Sequence, residues 1–471
     1  MAAPLRQRGR EGGESRRRAA GADLGGAGIS PSEVHAVLSR HLLVDAFPLV
    51  LDLAKSHGSW LVDARDGSEY LDFYTFFASS PLGLNPPGLV DDPEFLDALA
   101  LVAVNKPANS DIATVELARF TNTFADVLGD PELPHLFFIE GGALAVENAL
   151  KVAFDWKSRH NEAAGRSRDL GTRVLHLRHA FHGRSGYTMS LTNTDPVKVD
   201  RFPKFDWPRI SSPAVTFPLE EHLAEVEEAE RSAIGEAEAA FERHRHDIAC
   251  FIAEPIQAEG GDRHLRAEFL RAIQDLCRAN DALFIMDEVQ TGVGVTGSRW
   301  CYEQLGLEPD VVAFGKKVQL GGIMAGRRVH EIPDNVFRTP SRINSTWGGN
   351  LVDMVRSTRL LELIRSTDAM GNARTEGRRL LSHVQSLAAE HARTVTNPRG
   401  RGLLVAFDLP SKELRDRVVY DLRESERVIT LPCGERSVRF RPALSVSADE
   451  IDQGATALGR ALARLSEEVA Q

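Results

Sequence analysis

Three short stretches carry residues able to do chemistry together. FGKKVQLGG, residues 314–322, sets Lys316 and Lys317 at the end of an apolar run, and FIMDEVQTG, residues 284–292, ends a similar run on Asp287. IEGGALAVENALK, residues 139–151, passes from an apolar run through Gly141 and Gly142 into a helical pattern. Burial and a neighbouring cation both penalise an ammonium, and the free amine that results is the nucleophile and proton carrier a Schiff-base enzyme needs. A carboxylate in a partly dehydrated site must be paired, and a cation a few ångströms away is worth about 4 kcal/mol at an effective dielectric near 20. A protonated pyridine nitrogen would be such a partner. Backbone N–H groups at a helix start, reached over glycines, cradle a phosphate. Each stretch also has a plainer reading: solvated lysines, a capped aspartate, a tight strand-to-helix turn. Neighbours on an extended backbone point opposite ways, so only one of the two lysines enters a site.

The elements that must position these residues follow from the pattern. From about residue 135 to 345 short apolar runs alternate with helical stretches: LFFIEGG, RVLHLRHAFHG, DIACFIAEPIQAEGG, ALFIMDEVQTG and DVVAFGKK. This predicts an α/β fold with a mostly parallel central sheet in a large domain. Amphipathic stretches at 351–366 and 374–392, then GRGLLVAFDLP, a helix, SVRFRPAL and a closing helix from about 448, predict a smaller α+β C-terminal domain. The division is 1–28 a disordered tail, 29–84 a segment packing with the small domain, 85–345 the large domain and 346–471 the small one. In open sheets of this kind ligands bind beyond the carboxyl ends of the strands, which leaves EGGAL, HAFHGR, EPIQAEGG, DEVQTG and FGKK as the functional loops.

Charge and cysteine narrow the class. The 471 residues carry 56 Lys and Arg against 67 Asp and Glu, a net charge of −11, which argues against nucleic acid or an anionic membrane as partner. Cys250, Cys277, Cys301 and Cys433 stand far apart and suggest neither a disulfide framework nor a metal site, which fits a reducing cytoplasm. No run approaches the ~18 apolar residues of a membrane span. The first 28 residues hold six arginines, seven glycines and three acids without an apolar core, and read as a flexible tail. GVGVTG, residues 292–297, matches the dinucleotide pattern G-x-G-x-x-G and raises a nicotinamide dehydrogenase as a rival. The ribose-binding acid should end the next strand, whereas Asp310 precedes DVVAF, so this reading is set aside.

Taken together, EGGALAVENALK, HAFHGRSGY, EPIQAEGGDRH, DEVQTG, FGKK and NSTWGGN resemble the class III, fold-type-I aminotransferases that use pyridoxal phosphate, over nearly everything from residue 40 on. Where the general pattern has Glu-Ala before the cradle helix this chain has Leu144-Ala145, as in the lysine-specific subgroup. The resemblance implies transfer of the ε-amino group of L-lysine to 2-oxoglutarate, with an ornithine or 4-aminobutyrate ω-aminotransferase as the alternative. It implies that the backbones of Gly142 and Ala143 hold the cofactor phosphate and that Thr346 reaches it from the neighbouring subunit of a homodimer. Phe181 would stack on the pyridine, Asp287 pair with its nitrogen, Gln290 lie near its phenolic oxygen, and Lys316 be the Schiff-base lysine, with Lys317 outside the site and Glu254 a nearby support. Two unlike substrates share one pocket, and arginine suits each carboxylate because its planar fork binds bidentately. Arg184 would take the distal carboxylate, Arg439 the one beside the reacting carbon, and Glu259 would cover Arg439 until 2-oxoglutarate displaces it. Arg441 is the near neighbour of Arg439, Asn344 would touch substrate, and His179 and His182 would be structural.

Overall fold

A computed structural model describes residues 28–470, without the side chains of 468–470. The tail expected over 1–28 therefore lies, but for its last residue, outside the described residues. The described residues up to Ser56, with Leu61–Glu69, form one compact unit, and His57–Trp60 with the residues from Tyr70 on form the other. In the first, a helical turn covers Val34–Leu38, and Asp63 pairs with Arg65 at 2.5 Å. The second holds the chemistry.

Its large sheet contains β1 (His135–Ile139), β2 (Arg173–Leu177), β3 (Arg209–Ile210), β4 (Ile248–Ala253), β5 (Leu283–Asp287), β6 (Val311–Phe314) and β7 (Gly321–Ala325). The seven strands lie in the order β1-β7-β6-β5-β4-β2-β3. The run from β6 through β5, β4 and β2 to β3 is parallel, as expected from the apolar runs. β7 is antiparallel to both β6 and β1, so the sheet is mixed. The GGIMA run of β7 escaped the sequence reading because two glycines dilute its strand signal.

Every residue of β4, β5 and β6 is buried, which is why those runs lack polar alternation. Period-two geometry still sorts them: Phe251, Phe284 and Phe314 enter one core with α3 (Ala267–Ala279), while Ile252, Ile285 and Ala313 enter another. The second core is closed by α1 (Gly142–Ala163), whose Ala145, Val146, Ala149, Leu150 and Ala153 recur at helical spacing. Each such burial is worth about 1–3 kcal/mol, so the strand ends are held against slippage by packing on both faces. Between β3 and β4 runs α2 (Leu219–Arg243).

The C-terminal part begins with α4 (Leu351–Ser366), which matches the expected bounds, and α5 (Ala369–Glu390), which starts earlier than expected because the Asp368 side chain caps Gly371 N–H. β8 (Thr396–Arg401), β9 (Leu404–Asp408), β10 (Leu431–Cys433) and β11 (Ser437–Phe440) form a four-stranded antiparallel sheet in the order β8-β9-β11-β10. α6 (Lys412–Glu424) and α7 (Ala448–Ala470) complete it. No helix among the described residues is long and apolar enough to cross a membrane.

Candidate active site

The carboxyl ends of the parallel strands put four sequence motifs on one edge. Register sets Asp287, the last residue of β5, beside Ala313 of β6, two residues before Gly315. The glycines then bring three loops into contact. A Cβ on Gly142 would lie 2.8 Å from a Val289 methyl, and one on Gly315 would lie 3.3 Å from Gly142 Cα. Gly141, at φ +83°, makes the turn from β1 into α1, and a Cβ there would meet nothing within 4 Å. The start of α1 is thus open. No side chain caps it, and the N–H groups of Gly142, Ala143 and Leu144 have no partner among the described residues. Three donors and the positive end of a 22-residue helix face that opening.

Lys316 and Lys317 do not sit on extended backbone. They begin a 3₁₀ turn, Lys316–Val318, with Lys316 at φ +50°, so the expected alternation of side chains does not apply. The pair is divided all the same. Burial first, and Arg439 second, push the Lys316 amine down to about 8. Its Nζ lies 5.6 Å from the centre of the Phe77 ring. Lys317 is 3% exposed and its Nζ donates to the Gln290 carbonyl at 2.8 Å. Burial, then Lys316, hold its amine well below the usual lysine range. That bond fixes the loop that carries Gln290, whose buried Oε1 has no partner among the described residues.

Asp287 is buried and its Oδ2 lies 2.7 Å from His182 Nδ1, while Oδ1 accepts Val289 N–H at 3.1 Å. His182 thus supports the Asp287 carboxylate. Glu254 accepts Phe181 N–H at 2.9 Å and Ala258 N–H at 3.3 Å. Burial, then the charge of Asp287, drive its carboxyl well above the usual range. Phe181 is thereby tied to the carboxylate edge of β4.

Arg184 is exposed on the loop after β2, with no side-chain partner among the described residues. Its loop is held to α1: Glu147 accepts Ser185 Oγ–H and Tyr187 N–H, each at 2.7 Å, and a Cβ on Gly183 would lie 2.6 Å from Ala143 Cβ. Arg439, on β11, is 1% exposed and its Nη2 donates to Glu259 Oε2 at 2.8 Å. Burial of Glu259 is outweighed by Arg439 and by Lys198, so its carboxyl stays below the usual range. Arg441 is engaged elsewhere, with Asp262 and the Phe440 carbonyl. Among the described residues His179 donates only its backbone N–H, to Asn193 Oδ1. Asn344 and Thr346 stand on an exposed loop, where the Thr346 carbonyl accepts Ser110 Oγ–H at 3.2 Å. No hydrogen bond among the described residues ties either to the cluster around Lys316. Sequence reading missed Phe77 and Lys198, because neither TFFA nor DPVK carries a motif; only proximity in the fold marks them.

GVGVTG forms a loop rather than a phosphate turn. Gly292 packs on Trp300 and Gly297 on Arg374, and a helix of only five residues, Cys301–Leu305, follows. The dinucleotide reading falls with it.

Residues 44–462 match the family aminotransferase class-III. The chain is 58% identical over 439 residues to the L-lysine-epsilon aminotransferase of Mycobacterium tuberculosis, covering 93% of this chain and 97% of that protein. It is 56% identical over 441 residues to the L-lysine-epsilon aminotransferase of Streptomyces clavuligerus, covering 94% and 96%. The crystal structure of lysine aminotransferase from M. tuberculosis superposes with a TM-score of 0.91 at 57% identity, over 93% of this chain and 100% of that one. The chain belongs to the class III aminotransferases, enzymes that work through pyridoxal phosphate.

Proposed function

We propose that this enzyme transfers the ε-amino group of L-lysine to 2-oxoglutarate, giving 2-aminoadipate 6-semialdehyde and L-glutamate, a reading supported by its likeness to the two proteins named for that activity. The residues fit pyridoxal phosphate: the open N–H groups of α1 suit a phosphate, the Asp287 carboxylate suits a protonated ring nitrogen, and the unpartnered Gln290 Oε1 is free for a polar ring substituent. Gly142 and Ala143 would hold the phosphate, Phe181 would stack on the ring, Asp287 would face its nitrogen and Gln290 its phenolic oxygen. When bound, the cofactor supplies an aldehyde carbon and a ring that takes up an electron pair from the substrate. Lys316 Nζ, with its depressed proton affinity, accepts the proton from the substrate carbon and returns it.

The observation that carries the substrate assignment is the 2.8 Å pair of Glu259 and Arg439. While Glu259 covers Arg439, a substrate with one carboxylate is steered to Arg184 and presents its far amine; a dicarboxylate displaces Glu259 and uses both arginines. Asn344 is assigned to substrate contact. L-Lysine labelled with nitrogen-15 at the ε position, given with 2-oxoglutarate, should yield labelled glutamate. Unlabelled glutamate, or faster turnover of ornithine or 4-aminobutyrate, would overturn this reading.

A homodimer with shared sites is part of the proposal, with Thr346 reaching the phosphate held by the neighbouring subunit. In support, Val104, Ile112, Val115 and Trp347 are exposed, and the segments that carry them are joined by the Ser110–Thr346 bond and by Lys106, 4.0 Å over the Trp347 ring. The large cofactor-binding and small C-terminal domains are divided near residue 346, between β7 and α4. Small-molecule substrates and four free, buried cysteines favour the cytoplasm.

A further inference from the structure

The Glu259 carboxylate is held by two cations. Arg439 Nη2 donates to Oε2 at 2.8 Å, and Lys198 Nζ donates to Oε1 at 2.5 Å. Lys198 ends the short turn Pro196–Lys198, whose start is fixed by Asp195 accepting Val197 N–H at 3.0 Å. The two partners differ in what they can do. The Arg439 side chain is 1% exposed, and its Nε and Nη1 are buried without partners among the described residues, so its fork holds donors that Glu259 does not use. Lys198 is 22% exposed at the side chain, on a flexible four-carbon stem, with Nζ 5.5 Å from the centre of the Phe181 ring.

A carboxylate forced off Arg439 inside a partly dehydrated cleft would lose its counter-charge, and that loss opposes the displacement. A second cation that stays bonded to Glu259 removes this cost without masking Arg439. We infer that Lys198 is a positioning residue for the acceptor half of the reaction: it keeps Glu259 paired when an incoming dicarboxylate takes Arg439. This rests on the Glu259–Arg439 exchange proposed above. With Lys198 absent, Glu259 would cling to Arg439, and the dicarboxylate alone would suffer.

The holoenzyme and its Lys198→Met and Lys198→Arg variants test this. Affinity for glutarate, an unreactive dicarboxylate, is read by titrating the cofactor absorbance, alongside the KM for 2-oxoglutarate and the single-turnover rate with L-lysine. Lys198→Met should weaken glutarate binding and raise the KM for 2-oxoglutarate about tenfold, leave the L-lysine rate within about twofold, and be rescued by Lys198→Arg. In a Glu259→Gln background, removing Lys198 should have no further effect. Unchanged glutarate affinity would reduce the contact to a surface ion pair and overturn the inference. Equal losses for glutarate and L-lysine would assign Lys198 to general substrate binding and overturn it as well. Because glutarate binding is independent of the amino donor, failure here is distinguishable from failure of the lysine assignment, which the nitrogen-15 experiment reads.

Discussion

Lys317 Nζ and the Gln290 carbonyl are joined by a 2.8 Å hydrogen bond inside the protein, while the adjacent Lys316 has its Nζ 5.6 Å from the centre of the Phe77 ring. Of the two adjacent lysines, Lys317 is thus bonded within the protein and Lys316 is the one proposed to do the chemistry. Lys317→Met keeps the length of the stem but strands the carbonyl, which should cost about 1–3 kcal/mol of stability in urea unfolding of the cofactor-free protein. Borohydride reduction of the holo variant should still place the cofactor on the peptide carrying Lys316. Transfer of the label to position 317 in the wild type would reverse the assignment.

The proton affinity of Lys316 gives a pH prediction. Its folded value is about 8 against an ordinary 10.5, with burial the larger cause and Arg439 the second. Between those values the unfolded chain binds the extra proton, so the group's penalty on stability is full below about 8 and fades as pH rises toward 10.5. In the cofactor-free protein, acetylation of Lys316 followed by peptide mass spectrometry should show half-maximal reactivity near pH 8. Reactivity that rises only above pH 10 would contradict the geometry.

Asp287 owes its aim to His182, 2.7 Å away. Asp287→Asn keeps the shape and removes the charge, and should lower kcat by about 10²–10³-fold, as loss of a preorganised electrostatic partner does elsewhere. Activity within tenfold of wild type would show that the charge is dispensable.

Glu254 holds its proton far above the ordinary carboxyl range because it is buried and faces Asp287. The folded state therefore binds more protons than the unfolded chain once pH passes the ordinary value of 4.5, and stability contributed by this group falls as pH rises. Glu254→Gln is uncharged at every pH. Its melting temperature relative to wild type should be more favourable at pH 8 than at pH 5; no difference between the two pH values would mean that Glu254 is ionised in the fold.

The placement of the candidate residues was legible wherever a strand hands over directly to a loop. Asp287 and Lys316 each follow a run with no polar interruption, and such a run fixes both the element and the point where it leaves the core. Gly141 and Gly142 announced the open helix start for the same reason. What stayed hidden depends on residues distant in sequence. Lys198 reaches Glu259 across 61 positions, and nothing in its neighbours distinguishes it from a solvated lysine. The side-chain alternation expected of the lysine pair failed because Lys316 adopts φ +50°, a left-handed conformation that sequence pattern does not announce for a non-glycine residue. β7 was missed because glycine, useful there for close packing against Phe314 and the Phe137 carbonyl, is a poor strand former.

The seam where Gly142, Gly315 and Val289 meet also works as a gauge. With a Cβ on Gly142 only 2.8 Å from the Val289 methyl, and one on Gly315 3.3 Å from Gly142 Cα, the spacing between the open start of α1 and the loop that carries Lys316 is set by bare backbone thickness. A methyl group added at either glycine would act as a shim, leaving every charge in place and altering only the reach. Variation among enzymes built on this plan should therefore be scarce at this seam.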